Sequence, residues 1–424
     1  MRKAASAAVL VALLSRAALA DSRPAQVWNG PLTRVQAIAL VTSQGFEVRI
    51  ARADAQAASA AARGDRAGIL PELSVAGTAN AVNIPQLGMP VARQTYAGAS
   101  LAIPLVNLPA AAQARAGRFS AAAVSEDLSA ATNDAAFAAV QAYDLAVLAA
   151  SVAAARKADV SEQRENVRVV ALRVRAGKAA TYVLAQARAA LANAEQTEED
   201  ADARRDEARN DLLTLLDLGL RSRMTLADSL DPQPFDDTFP SLAARASRQR
   251  PEIAAARSRV EAAESTLRAA KAAYAPLATL SAQTYNGASA PPLGAAGSQI
   301  GVTVSLPVID GGARGAAVAR ADAELAKARI ELEQRELSVR RDVANAWREL
   351  EAARRNVETA QTGLVDAKST LSVTQLRQRS GKGIQLEVLD ALAVTANARE
   401  AVLRAQARFD IAVAALHRAA GDRL

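Results

Sequence analysis

Hydrophobic residues along this chain recur with two periods, and each period appears twice. Val339, Val343, Ala346, Leu350, Ala353, Val357, Ala360, Leu364, Ala367 and Leu371 follow one another in alternating steps of four and three. That is the heptad spacing of a coiled-coil seam. One of its two positions is alanine at 346, 353, 360 and 367, so the seam has a thin side along which helix backbones approach closely. The spacing predicts long helices over Ala110 to Arg175 and Ala313 to Arg379. At 1.5 Å per residue, about 66 residues make a rod of roughly 100 Å. Beyond turns at Gly177 and Gly381, further helices run back to about Leu218 and Ala420, the second with alanine at 391, 398, 405 and 412.

Ahead of each rod the period changes to two. Leu73, Val75 and Gly77 are set against Glu72, Ser74 and Thr78, and Leu101, Ile103 and Leu105 against Ser100, Ala102 and Pro104. In the later segment Ile300, Val302, Val304 and Leu306 alternate with Gly301, Thr303, Ser305 and Pro307, after a weaker run from Ala278 to Tyr285. Runs of about ten alternating residues, separated by Gly, Pro and Asn, predict membrane-barrel strand hairpins. They fall at 71–106 and 276–309, each preceded by a helix-patterned stretch, Leu32 to Ala67 and Pro251 to Ala275.

These elements form an internal repeat. Leu172 to Lys178 matches Leu376 to Lys382 and Ala142-Tyr143 matches Ala346-Trp347, both at an offset of 204, while Leu101 to Val106 resembles Val304 to Ile309 at 203. The expected organisation is a first repeat over 21–218 with its helical tip near 175–182, a linker and equatorial segment over 219–248, and a second repeat over 249–424 with its tip near 379–387. The stretch from Asp228 to Pro240, rich in Asp and Pro, is the linker proper. Two hairpins give four strands. Four strands cannot close a barrel, so a spanning barrel must be completed by other copies of the chain.

The first twenty residues carry Arg2 and Lys3, an apolar run from Ala4 to Leu14, and Ala18-Leu19-Ala20. This is the pattern of a secretory signal, with Asp21 as the first mature residue. No later stretch approaches the roughly 20 apolar residues of a membrane helix, so membrane insertion is expected through strands. Cysteine is absent, which excludes disulfides and a lipidated N-terminal cysteine. The formal charge of +7 falls by three, to +4, once Arg2, Lys3 and Arg16 leave. Lys and Arg alternate with Asp and Glu, and aromatics are only 3% of residues, which argues against a nucleic-acid surface. The lone histidine, His417, has no cysteine or histidine beside it, so no zinc or Cys-His constellation is expected, nor any cofactor or enzymatic activity.

Three segments resemble the outer-membrane efflux proteins, the TolC-like family. Val302-Thr303-Val304-Ser305-Leu306-Pro307-Val308-Ile309-Asp310-Gly311-Gly312-Ala313-Arg314 is similar to the family's strand-to-helix junction. Arg379-Ser380-Gly381 with Glu387-Val388-Leu389-Asp390-Ala391 is similar to its hairpin tip and return helix, and Ala414-Ala415-Leu416 with Ala420-Gly421 to its usual helix end. The first junction departs from the pattern, reading Asn107-Leu108-Pro109 where the second has Asp310-Gly311-Gly312. The resemblance covers about Leu32 to Gly421. It implies a mixed membrane β-barrel and α-helical coiled coil: a homotrimer whose chains give four strands each to a twelve-stranded barrel in outer-membrane lipid, continued by a helical tunnel across the periplasm. It implies as partners a periplasmic adaptor and an inner-membrane transporter, with passive efflux of drugs or cations as the role. The alternatives are the outer-membrane component of type I protein secretion and a structural periplasmic coiled coil.

Glu387 and Asp390 are three apart beyond Gly381, which puts both on one helix face. The family's narrow periplasmic entrance has acidic side chains at the matching positions, so the resemblance implies that these two constrict the pore and select cations. Rings of three would repel within themselves when empty and draw cations in. The alternative is a pair of first-turn carboxylates opposing a helix dipole. The first repeat's counterparts, near Val183-Leu184, read Tyr182 and Ala185. The two tips, with Arg175, Gly177 and Lys178 and with Arg379, Gly381 and Lys382, are the expected adaptor-docking surface, or else glycine turns that only reverse the chain.

Amino-terminal sequencing of the protein recovered from outer membranes should begin at Asp21. Recovery of a soluble chain that retains Met1 would contradict the secretory reading.

Overall fold

The computed structural model describes residues 27–84, 89–230, 235–288 and 296–422. The signal sequence, its junction at Asp21 and part of the linker lie outside the described residues. The first repeat runs β1 (Asn29–Leu32), α1 (Arg34–Gln44), α2 (Phe46–Ala67), β2 (Glu72–Ile84), β3 (Met89–Val106), α3 (Leu108–Arg175) and α4 (Thr181–Leu215). After β4 (Arg223–Leu226), the second runs α5 (Phe239–Gln249), α6 (Pro251–Ala272), β5 (Leu277–Ala288), β6 (Ala296–Ser305), α7 (Ala313–Arg379) and α8 (Gln385–Ala420).

The sequence expectation of one helix from Leu32 to Ala67 is corrected: the helix breaks at Gly45, which has φ −57° and ψ 142°. A Cβ there would stand 2.5 Å from the carbonyl oxygen of Val41, so the break needs glycine. The second repeat makes the same break differently. Arg250 is extended, with φ −65° and ψ 119°, because Pro251 follows it and disfavours a helical conformation in the preceding residue. The segment between the repeats also holds a feature that periodicity did not reveal. β4 pairs in parallel with β1, Asn29 opposite Arg223 through Leu32 opposite Leu226.

The four long strands form one antiparallel sheet in the order β2-β3-β5-β6. Its register sorts side chains into two unlike faces. Leu73, Leu101, Ala282 and Ile300 form one row across it, and Ile103, Leu280 and Val302 another on the same face. Ser74, Ser100, Gln283 and Gln299 form a row on the opposite face, where the serine hydroxyls lie 2.7 Å apart and Gln283 donates to Gln299 at 3.1 Å. The apolar face is bare in the single chain, with Val75 79% exposed. The sheet is open, and the outer edges of β2 and β6 pair with no strand among the described residues. β6 ends at Ser305, short of the expected 309, because Pro307 has no N–H to give the ladder. In β3, Pro104 is accommodated by a register shift between Pro104 and Val106.

Side chains fix the two strand-to-helix junctions. Asn107 caps α3, accepting from the amide of Ala110 at 3.1 Å and donating to the carbonyl of Gly68 at 3.3 Å. At the second junction Asp310 accepts from the amides of Gly312 and Arg314 and from the Arg314 guanidinium at 2.6 Å, and that guanidinium lies 4.7 Å from the centre of the Tyr274 ring. Gly312 itself has φ +90°. The departure from the family pattern at the first junction therefore replaces one capping device with another.

α3 and α7, of 68 and 67 residues, are rods of about 100 Å. One expectation about α3 is corrected: it contains a stretch long and apolar enough to cross a bilayer. Alanine and valine make it apolar, but 44% of it is buried against the rest of the chain, and the rod is far longer than a hydrocarbon core of about 30 Å. The heptad of α7 packs along α8. All ten of its positions are buried or half-buried, and Val339, Val343, Leu350, Ala353 and Val357 share one core with Ala405, Phe409, Ala412 and Leu416 of α8. A second core forms where α1 meets the middle of α3 and the end of α4, around Leu32, Val41, Tyr143, Leu212 and Leu216.

Ala353 is 2% exposed at the centre of the seam. Replacing it with Phe should overpack the helices and destabilise the chain by about 1–3 kcal/mol in chemical denaturation. An unchanged midpoint would mean that the seam lies elsewhere.

Candidate functional site

The two helical hairpins end in the same turn, built twice. At the end of α3, Gly177 has φ +69°, its amide donates to Val174 and that of Lys178 to Arg173. At the end of α7, Gly381 has φ +74°, its amide donates to Gln378 and that of Lys382 to Arg377. Both are glycine-dependent helix stops that satisfy the last carbonyls of a helix. They leave Arg175, Lys178, Arg379 and Lys382 exposed at the rod ends.

The return helices start at Thr181 and Gln385, so the offset of 204 persists and Glu387 and Asp390 correspond to Val183 and Gln186. This corrects the expected counterparts Tyr182 and Ala185; neither pair is acidic. The two carboxylates sit differently. Glu387 is half-buried in the first turn of α8, with one oxygen 4.0 Å from Arg377 and the other buried without a hydrogen bond. Asp390 is exposed and has no ion pair among the described residues, between exposed Leu386 and Val394 one turn to either side.

Above the tips, polar groups that the sequence did not single out join the two hairpins. Gln385 donates to Asn166 of α3 at 3.0 Å and accepts from Gln378, and Arg173 donates to the carbonyl of Gln378 at 2.8 Å. Gln378 and Gln385 are both buried. Gln378 borders a groove of about 740 Å³ between α3, α7 and α8, also lined by Glu165, Asn166, Arg173 and Gln375. Farther along, charges clamp α3 to α8. Arg399 donates to Asp159 and to Glu162, each at 2.8 Å, and Arg156 and Arg404 both grip Glu400. Burial pushes the Asp159 carboxyl up, with Arg399 and Arg156 opposing it. Burial acts the same way on Glu400, but Arg156 and Arg404 outweigh it and hold that carboxyl low. No periodicity marks the contacts that cross from α3, because their partners lie 205 to 244 residues apart and become neighbours only when the hairpins pack.

Residues 38–217 and 242–422 match the family model described as outer membrane efflux protein. No curated protein matches the chain in sequence. Solved structures do match in fold. A membrane protein from Pseudomonas aeruginosa superposes with a TM-score of 0.81 at 22% identity, covering 92% of this chain and 93% of that one. The open state of the MtrE outer membrane channel of Neisseria gonorrhoeae gives 0.80 at 20% identity, covering 92% and 89%. The CmeC outer membrane channel of Campylobacter jejuni gives 0.80 at 18%, covering 92% and 85%. Members of the matched family are homotrimeric outer-membrane channels with a periplasmic helical tunnel, and they pair with periplasmic adaptors and inner-membrane pumps in tripartite efflux. With both repeats matched and a long helical rod in each, the chain belongs to the outer membrane efflux protein family.

Proposed function

We propose that three copies of this chain close one twelve-stranded barrel and conduct drugs or cations passively through it, with Glu387 and Asp390 constricting the periplasmic end. One observation carries the barrel: a sheet with an apolar face, a hydroxyl- and amide-lined face and two unpaired edges. In hydrocarbon an unpaired edge is costly, and three antiparallel four-stranded sheets joined β6 to β2 satisfy every edge. The apolar rows then meet lipid and the row of Ser74, Ser100, Gln283 and Gln299 meets the water-filled lumen. The repeats over 21–218 and 249–424, joined by the equatorial segment 219–248, supply two rods each to the tunnel wall. The adaptor docks on the tips, where Arg175, Gly177, Lys178, Arg379, Gly381 and Lys382 present six similar basic turns per trimer.

Asp390 supports the constriction most directly, since it is an exposed carboxylate near the helical tip with no ion pair among the described residues. Glu387 shares its charge with Arg377 and contributes less. In lipid bilayers the native trimer should conduct, and multivalent cations should block it from the periplasmic side. Neutralising both residues, as Glu387→Gln with Asp390→Asn, should weaken that block at least tenfold without altering assembly. Equal block in the two proteins would return the pair to ordinary first-turn helix charge.

A further inference from the structure

Halfway along the tunnel, a charged cluster is buried where the two repeats meet. Arg34 opens α1, and its guanidinium lies 2.7 Å from the Oδ1 of Asp144 on α3 and 3.8 Å from Asp410 on α8. Asp144 is fully buried, and its Oδ2 accepts no hydrogen bond. The Arg34 amide donates to Asp228, in the loop after β4, at 2.7 Å. Beside the pair, the Tyr143 hydroxyl donates to the carbonyl of Leu32 at 2.8 Å and accepts from the amide of Asp228. The charged and titratable groups facing Asp144 are thus Arg34 from α1, Asp410 from α8, Asp228 from the loop, and Tyr143 on its own helix.

The fold does not require charge at this place, and the second repeat shows it. At the offset of 204 to 205, Arg34 corresponds to Phe239, Tyr143 to Trp347 and Asp144 to Arg348. There Phe239 and Trp347 pack ring to ring at 6.3 Å, and Arg348 lies exposed on the surface of α7. Asp206, the counterpart of Asp410, is exposed as well. A buried ion cluster generally contributes less stability than an apolar one of the same size, so its presence at only one of the two equivalent places calls for another role.

We infer that Arg34, Asp144 and Asp410 form a proton-operated joint, which ties the equatorial strap of the first repeat to α8 of the second more tightly in mild acid than at neutral pH. The Arg34 guanidinium stands 2.7 Å from one buried carboxylate and 3.8 Å from another, and the two come from different repeats. Ionised, they repel each other in a site with little water; a proton on Asp144 removes one negative charge and supplies an O–H for the partnerless oxygen to donate. Burial, opposed by Arg34 and reinforced by Asp410, pushes the Asp144 carboxyl up to about 6. Opening the joint to water returns it to about 3.9. Between those values the closed joint holds a proton that the open one releases. Closing is therefore favoured as pH falls from about 6 to about 4, by up to tenfold per pH unit, and the balance is flat above about 6. The inference does not depend on which solutes pass through the pore.

Hydrogen exchange of the intact purified protein, corrected for intrinsic rate and followed from pH 7.5 to 4.5, tests it. Protection over β1 and α1 should rise several-fold as pH falls below an onset near 6, while α5, which lacks the cluster, should show no such rise. Asp144→Asn should abolish the pH dependence. Asp410→Asn removes the neighbouring negative charge and should shift the onset to lower pH, which keeps the test decisive if the first variant fails to assemble. A flat native profile, an equal slope in α5, an undiminished slope in Asp144→Asn or an unmoved onset in Asp410→Asn would overturn the inference.

Discussion

A backbone edge cannot be left unpaired in hydrocarbon, and the other features of this protein follow from that constraint. The chain carries four strands that meet all the demands of a membrane wall except closure: one face is apolar, one is polar, and two edges are open. In the proposed barrel, closure by copies of the chain fixes a symmetry axis along the pore. The helices that leave the sheet then continue as a wall, and long rods packed side by side need seams that are thin and repetitive. Alanine at every second heptad position of α7 provides that thinness, and the large residues at the alternate positions provide the buried area.

Because the wall is made of two repeats, the chain solves each local problem twice, often with different chemistry. Gly45 breaks one helix through its small size and Arg250-Pro251 breaks the other through a proline ring. Asn107 caps one rod directly, whereas Asp310, Arg314 and Tyr274 knot the start of the other. Where both copies use one solution, as in the glycine turns at the tips, the backbone demands it: a positive φ at Gly177 and Gly381 is available at low cost only to glycine. Where the copies differ, function has room to enter. The acidic pair of α8 occurs in one repeat and not in the other, and the buried carboxylates gather around Arg34 at only one of the two equivalent places.

The union of the two hairpins is polar rather than greasy. Arg399, Glu400, Arg156 and Asp159 cross from α3 to α8, and an amide chain through Asn166, Gln385 and Gln378 crosses nearer the tips. Within each hairpin the cores are apolar and close-packed. Apolar seams thus hold each hairpin rigid, while directional, ion-dependent contacts set how one hairpin sits against the other.

The sequence by itself determined whatever repeats over short distances. The heptad of α7, the alternation of the strands, the glycine turns and the offset of 204 are local periods, and each survives in the structure because helix and strand geometry impose the same periods on packing. It also placed Glu387 and Asp390 just past a turn, but not the contrast between them, since the neighbour of Glu387 is set by how the turn folds back on Arg377. Strand ends and helix breaks were read less well, because one residue, Pro307 or Gly45, overrides a pattern carried by many. Only the tertiary structure decided the pairing of β1 with β4, the amide and charge contacts between hairpins, and the meeting of Arg34, Asp144 and Asp410. Those partners lie more than a hundred residues apart, and a buried arginine and a solvated one look alike in a sequence until packing removes the water.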